Sequence, residues 1–210
     1  SRRQRQMCIR DSMDGVLIDA KDWHYEALND ALRLFGVEIS RYDHLHTFDG
    51  LPTKVKLELL GEQNYLPKEL HGFINQVKQN NTMRLVNEKC HPMFHHEYAL
   101  SRLNNEGYRI AVCSNSIRNT ICNMMDKAAL THYLDLIVSN EDVTKAKPDP
   151  EMYLTAISRF GLKPDECVVV EDNPNGVKAG LASGAYVLQV ETVYDVNYTN
   201  IRNKIDEVEA

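Results

Sequence analysis

Four short runs of β-branched and other apolar residues, at 109–114, 134–139, 167–171 and 185–190, punctuate the second half of the chain. Each is about strand length and almost wholly apolar, the pattern of a strand covered on both faces. Amphipathic stretches at 117–130, 150–160 and 175–183 lie between them. Strand and helix therefore alternate, which makes a doubly wound parallel sheet the economical α/β architecture. The first half reads differently. From Asp22 to about Glu88 the apolar spacing is helical, with Trp23, Ala27, Leu28, Ala31, Leu32 and Phe35 on one stripe ahead of Gly36. Further helices are expected over 53–60 and 67–88, and no strand stands out. This block is expected to be an inserted α-helical cap domain, residues 21–91, interrupting a core domain of residues 13–20 and 92–210. A cap over a sheet would make a cleft.

Composition narrows the partners. Apolar residues make up 43% and charged residues 26%, which fits a folded globular chain rather than a disordered one. A formal charge of −6 disfavours nucleic acid and anionic membrane, since both reward a basic surface. A small molecule is the expected partner. The five cysteines are odd in number, widely spaced and mostly set in apolar runs, which suits buried thiols in a reducing compartment. A cytoplasmic location is expected, with neither signal peptide nor membrane anchor, because no apolar run approaches membrane-spanning length.

Open parallel sheets place their active sites beyond the carboxyl ends of the strands, so the residues closing each expected strand carry the functional argument. They are Asp14, then Ser114 with Asn115, then Lys147 in a loop ahead of a helix, and the pair Glu171 and Asp172. The surrounding sequences are Met-Asp-Gly-Val-Leu-Ile-Asp at 13–19, Val-Cys-Ser-Asn-Ser at 112–116, Lys-Pro-Asp-Pro-Glu-Met-Tyr at 147–153 and Val-Glu-Asp-Asn-Pro-Asn-Gly at 170–176. Together, in this order and spacing, they resemble the four motifs of the haloacid dehalogenase-like hydrolases, in the branch of β-phosphoglucomutase and phosphoglycolate-type phosphatases. The resemblance runs from Met13 to about Val190. It implies a Rossmann-like sheet and phosphoryl transfer, in which the protein must position a phosphate, neutralise its charge and supply a nucleophile.

The resemblance also implies roles. Mg2+, a hard cation preferring oxygen ligands, would be held by Glu171, Asp172 and the backbone carbonyl of Asp14. Lys147 would set a positive charge on the transferring group, and Ser114 and Asn115, with nearby backbone N–H groups, would bind the phosphate oxygens. Asp14 would be the general acid and base. In the cap, His24 matches a histidine of the β-phosphoglucomutase branch, and Lys78 lies near where that branch carries a lysine facing the cleft. Thr53 and Lys54 fall where that branch carries an arginine for a distal phosphate, so the chain departs from the mutase there.

The family's nucleophile is an aspartate two residues before Asp14, and Ser12 stands in that place. Asp11 is a poor substitute, because a shift of one residue along a strand turns a side chain to the opposite face. Residues 2–11 back-translate, with permissible codons, to a sequence that resembles a transposon adaptor used in preparing sequencing libraries. Residues 1–12 are accordingly expected to be a non-native scar, with the family pattern resuming at Met13.

The residues support three readings. The first is a Mg2+-dependent phosphomonoesterase for a small phosphate ester, sugar phosphates foremost, working through an aspartyl-phosphate when the nucleophile is intact. The second is a β-phosphoglucomutase-like phosphate shuttle, and the third, supported by Ser12, is a phosphate-binding protein without turnover. The cluster His91, His95 and His96 lacks a further ligand at metal spacing, so a surface or hinge role is expected for it, and likewise for His44 and His46.

Overall fold

The computed structural model describes residues 8–11, 13–62 and 66–209. Ser12 lies outside the described residues. The chain divides into two compact units, Ala20–Cys90 and the remainder, which runs up to Asp19 and resumes at His91.

Among its described residues the Ala20–Cys90 unit contains helices and no strand: α1 (Lys21–Arg33), a single turn α2 (Arg41–Asp43) continued by a π-turn (His44–Phe48), α3 (Thr53–Glu62) and α4 (His71–Lys89). The apolar stripe of α1 is why it forms a core. Leu28, Ala31 and Leu32 pack with Ile39, Phe48, Leu57, Leu60 and Ile74. Gly36, at φ +71°, turns the chain out of α1 in a conformation that side chains resist. The returning segment is then fixed by Asn29, whose buried amide donates to Ile39 O at 3.0 Å and accepts from Ile39 N at 2.8 Å. His44 is 4% exposed, with its ring tilted against Tyr25 at a centroid distance of 4.7 Å, which corrects the surface half of the surface or hinge role expected for it. Burial, aided by the positive charge of Lys56, lowers its pKa to about 4. A neutral imidazole packs as an apolar ring, which is how this histidine came to be inside.

The second unit is built on β1 (Cys8–Asp11), β2 (Arg109–Cys113), β3 (Leu136–Val138), β4 (Cys167–Glu171) and β5 (Tyr186–Gln189). These form one parallel sheet in the order β3-β2-β1-β4-β5. All five residues of β4 and four of five in β2 are buried, as inner parallel strands demand. The register sets Asp11 level with Val112 on one side and Val170 on the other. Because the strands are parallel and in step, the turns leaving β1, β2 and β4 emerge at one edge.

Strand β3 is shorter than its apolar run. Asp135, at its start, accepts from Ile110 N at 2.8 Å and pairs with Arg109, and Ser139, at its end, already caps the next turn. The covering helices are α5 (Phe94–Asn105), α6 (Arg118–Lys127), α7 (Glu151–Phe160), α8 (Pro174–Ala182) and α9 (Tyr198–Glu209). Helix α5 is not apparent in the sequence pattern, and it takes in His95 and His96 but not His91. His96 is 1% exposed, with Nε2 2.8 Å from Val193 O and a pKa lowered by burial to about 4. It fastens the C-terminal segment to α5, so the surface reading fails for His96 as it does for His44. Cys90, Cys113 and Cys167 are buried, whereas Cys122 is exposed on α6. Among the described residues no helix is long and apolar enough to cross a membrane.

Asp142 clips three elements together behind β3. Its Oδ2 accepts from Ser139 N at 2.8 Å, Ser139 Oγ at 2.7 Å and Arg118 at 2.7 Å, while Oδ1 meets Arg159 of α7 at 3.3 Å. Burial alone would push its carboxyl up. The hydrogen bonds from Ser139, and then the charge and hydrogen bond of Arg118, outweigh that and set it at about 2, below the ordinary 3.8. A depressed carboxylate stabilises the fold above its ordinary pKa and loses that contribution as pH falls toward the folded value. Replacing Asp142 with Asn is expected to cost about 1 kcal/mol after allowance for solvent screening. Denaturant melts should show the deficit at pH 6 and its disappearance near pH 2.

Candidate active site

The loop after β1 is wound tightly by its own backbone. Gly15 N donates to Ile18 O at 2.7 Å, and Leu17 N and Ile18 N both donate to Met13 O, at 3.1 and 2.9 Å. Gly15 sits at φ +83°, the left-handed region where a side chain is strained. Met13, Val16, Leu17 and Ile18 are buried and anchor the turn, leaving Asp14 as its polar member. Asp14 Oδ2 accepts from Ser116 Oγ at 3.3 Å, and its Oδ1 is shielded from solvent.

Ser116 belongs to the turn leaving β2, and that turn is fixed at several points. Ser114 N donates to Val138 O at 3.0 Å, Ser114 Oγ accepts from Ser116 N at 3.1 Å, and Ser116 O accepts from Asn140 N at 3.2 Å. The Ser114 hydroxyl thus shapes its own turn and keeps a proton to donate. The N-cap of α6 is Ile117, so Ser114 does not cap that helix. Asn115, expected on the phosphate, has a different task. Its amide reads the backbone of Lys147 from both sides, Oδ1 accepting from Lys147 N at 3.1 Å and Nδ2 donating to Lys147 O at 3.4 Å.

The Lys147 loop has a second anchor on α7. Glu151 accepts from Thr144 N at 2.9 Å, Thr144 Oγ1 at 2.8 Å and Lys145 N at 2.8 Å, and Asp149 Oδ1 caps Glu151 N at 3.0 Å. Held this way, the Lys147 side chain runs inward and is 5% exposed. Its ammonium lies 2.5 Å from Glu171 Oε1 and 2.9 Å from Cys113 O, and 4.6 Å from the centre of the Tyr153 ring. The Tyr153 hydroxyl donates to the same Glu171 oxygen at 2.5 Å.

Glu171 is wholly buried, and its space is made by Gly176. A Cβ on Gly176 would fall inside the Glu171 carboxyl group. Gly176 is the first-turn residue of α8 that lets the helix start press against the carboxylate. Asn173 N, at the N-cap of that helix, lies 3.5 Å from Glu171 Oε2. Asp172 comes directly after, with both carboxylate oxygens shielded from solvent.

A chain of contacts thus joins Asp14 to Ser116, the Ser114–Ser116 turn to Lys147 through Asn115, and Lys147 to Glu171. The donor set fits a hard cation: carboxylate oxygens from Asp172 and Glu171 Oε2, with a backbone carbonyl at Asp14. Glu171 Oε1 is committed to Lys147 and Tyr153. Among the described residues no group of three or more His, Cys, Asp or Glu side chains forms a complete metal centre. Mg2+ does not require one, since it binds through one or two carboxylates and completes its shell with water and phosphate oxygens.

The cap residues lie in the Ala20–Cys90 unit. Lys78 is 7% exposed, with Nζ 3.3 Å from His24 Nδ1. Lys54 is exposed, and it is Lys56, two residues on along α3, that turns inward at 8% exposure. Sequence reasoning missed Lys56, because an i, i+2 pair on a helix points in different directions and the pattern alone did not say which lysine faced in. It also missed Ser116 and Tyr153, although both stood inside quoted motifs.

The ends of three parallel strands thus carry a buried lysine–glutamate pair and an aspartate on a glycine turn. The profile of the haloacid dehalogenase-like hydrolases matches residues 11–190, and the chain belongs to that family. An uncharacterized protein of Haemophilus influenzae is 30% identical over 182 residues, 86% of this chain and 88% of its own. The phosphorylated carbohydrates phosphatase of Thermotoga maritima is 26% identical over 184 residues, covering 88% and 82% of the two chains. The crystal structure of β-phosphoglucomutase from Clostridium difficile shares the fold, at a TM-score of 0.82 and 20% identity over 96% of this chain and 97% of that one.

The Gly176 contact yields a direct check. Gly176→Ala must displace the Glu171 carboxylate or the start of α8, and overpacking of this kind costs about 1–3 kcal/mol. A thermal melt should show the loss, whereas Gly72→Ala, where an added Cβ meets nothing within 4 Å, should leave stability near the parent or above it.

Proposed function

We propose that the chain derives from a Mg2+-dependent phosphomonoesterase acting on a small phosphorylated metabolite of the sugar phosphate class. The observation that carries the reading is the buried Lys147–Glu171 pair, tied through Asn115 and Ser116 to Asp14 at one edge of a parallel sheet. The Thermotoga maritima relative, named for phosphorylated carbohydrates, supports the substrate class.

Each residue has a task in this reading. Two of the three ammonium protons of Lys147 are spent on Cys113 O and Glu171, and the third is left to meet a phosphate oxygen. Ser114 offers a hydroxyl proton and the turn around it offers backbone N–H groups, donors that stabilise charge where it develops. Asp14, oriented by Ser116, transfers the proton to the leaving alkoxide and later takes one from water. Asp172, Glu171 Oε2 and the Asp14 carbonyl would hold the metal. Bound there, Mg2+ would act as a Lewis acid and neutralise the phosphate charge. His24, Lys78 and Lys56, or Lys54 at the helix surface, are the cap groups that would recognise the rest of an anionic substrate.

Ser12 favours a second reading for the chain as it stands: binding of phosphate and metal without appreciable turnover. A serine hydroxyl without an adjacent base is a far weaker nucleophile than a carboxylate. Ser12→Asp should therefore raise Mg2+-dependent hydrolysis of p-nitrophenyl phosphate at least about 100-fold, and adding Lys147→Ala should remove about the same factor. Release of inorganic phosphate from hexose phosphates by the Ser12→Asp protein checks the substrate class. Conversion to an isomeric sugar phosphate with no phosphate released would mean a mutase instead.

A further inference from the structure

Tyr153 has no part in the roles given above, yet it touches both members of the buried pair. It is wholly buried on α7, six residues after Lys147, so one loop and helix start deliver both side chains. Its hydroxyl lies 2.5 Å from Glu171 Oε1, the oxygen that Lys147 Nζ also reaches at 2.5 Å, and its ring face lies 4.6 Å from that ammonium. Resting on the phosphatase reading, we propose that Tyr153 is a positioning residue: its phenol turns Glu171 Oε1 toward Lys147 and so aims the remaining ammonium proton at the transferring phosphate.

A carboxylate can rotate about its last torsion, which is broad and roughly two-fold, so one ion pair alone does not fix its plane. Glu171 Oε1 accepts from donors on two different side chains, and Gly176 leaves no slack behind the group. With its plane fixed, Oε2 is left on the side of Asn173 N. Meanwhile the ammonium is held by Cys113 O, by Glu171 and by the ring face, and an ammonium attracted to the face of an aromatic ring keeps its direction without giving up a proton. Tyr153 itself does not reach the substrate in this account. Its effect passes through Glu171 to Lys147, the residue that meets the phosphate.

Tyr153→Phe tests this with the smallest change available. It keeps the ring, its packing and the contact with Lys147, and removes one O–H. Tyr108→Phe is the control, since Tyr108 is also buried in the same unit and its hydroxyl meets Arg202 of α9, away from the site. In the full Ser12→Asp protein, Tyr153→Phe is expected to lower kcat on p-nitrophenyl phosphate about tenfold with KM within about twofold, while Tyr108→Phe lowers neither. In the chain carrying Ser12, calorimetry with inorganic phosphate and Mg2+ should show about fivefold weaker binding for Tyr153→Phe and no change for Tyr108→Phe. A melting temperature measured beside each rate separates loss of fold from loss of aim: a structural role would lower it and leave the rate of the folded protein intact. Parent-like kcat and phosphate affinity in Tyr153→Phe would overturn the inference and leave the phosphatase reading standing. A Ser12→Asp parent that neither hydrolyses phosphate esters nor binds phosphate would overturn that reading, and the role of Tyr153 with it.

Discussion

The arrangement depends on one buried ion pair. Lys147 and Glu171 meet at 2.5 Å with side chains 4% and 1% exposed. Taking two charges out of water is costly, and the mutual attraction offsets it only when the remaining donors and acceptors are also satisfied. Here that is so for two of the three ammonium protons and for Glu171 Oε1: Cys113 O takes a second ammonium proton and Tyr153 gives Glu171 a second donor. Removing either charge would strand the other, at about 3–5 kcal/mol. The pair is thus a structural commitment as well as a chemical one. It joins the β2 and β4 ends to the loop that precedes α7.

Around that pair the chain uses backbone atoms more than side chains to set positions. Asn115 holds residue 147 by its peptide groups, so the loop is fixed whatever the lysine side chain does. Ser114 and Ser116 bond each other and the β3 exit before either is available to a ligand. The Gly15 turn is closed by main-chain bonds alone, with apolar neighbours as its anchor. Sites of phosphoryl transfer need donors that do not reorganise during the reaction, and a frame made of peptide groups supplies that rigidity.

Much of this was legible in the residues. The nearly continuous apolar runs at β2 and β4 belong to inner parallel strands, and such strands advertise themselves because neither face sees water. The stripe from Leu28 to Leu32 likewise marks α1. Helix α5 was hidden because its buried face includes His96, a polar letter that only neutral burial turns into a packing residue. Asn115 misled for a related reason: an amide can serve a ligand or a backbone equally well, and only the position of Lys147 decides. Lys54 and Lys56 could not be told apart by type, since the difference between them is which side of α3 each occupies. Ser12 is legible in the sequence and lies outside the described residues.

Gly176 couples two positions that lie five apart in the chain. As long as residue 171 carries a glutamate reaching under α8, no methyl group fits at 176. A shorter acid at 171 would open that space but withdraw its oxygen from Lys147 and Tyr153. In any set of functional variants, then, the glycine and the glutamate should travel as a pair, and a screen that samples them one at a time would score each as immovable for a reason that belongs to the other.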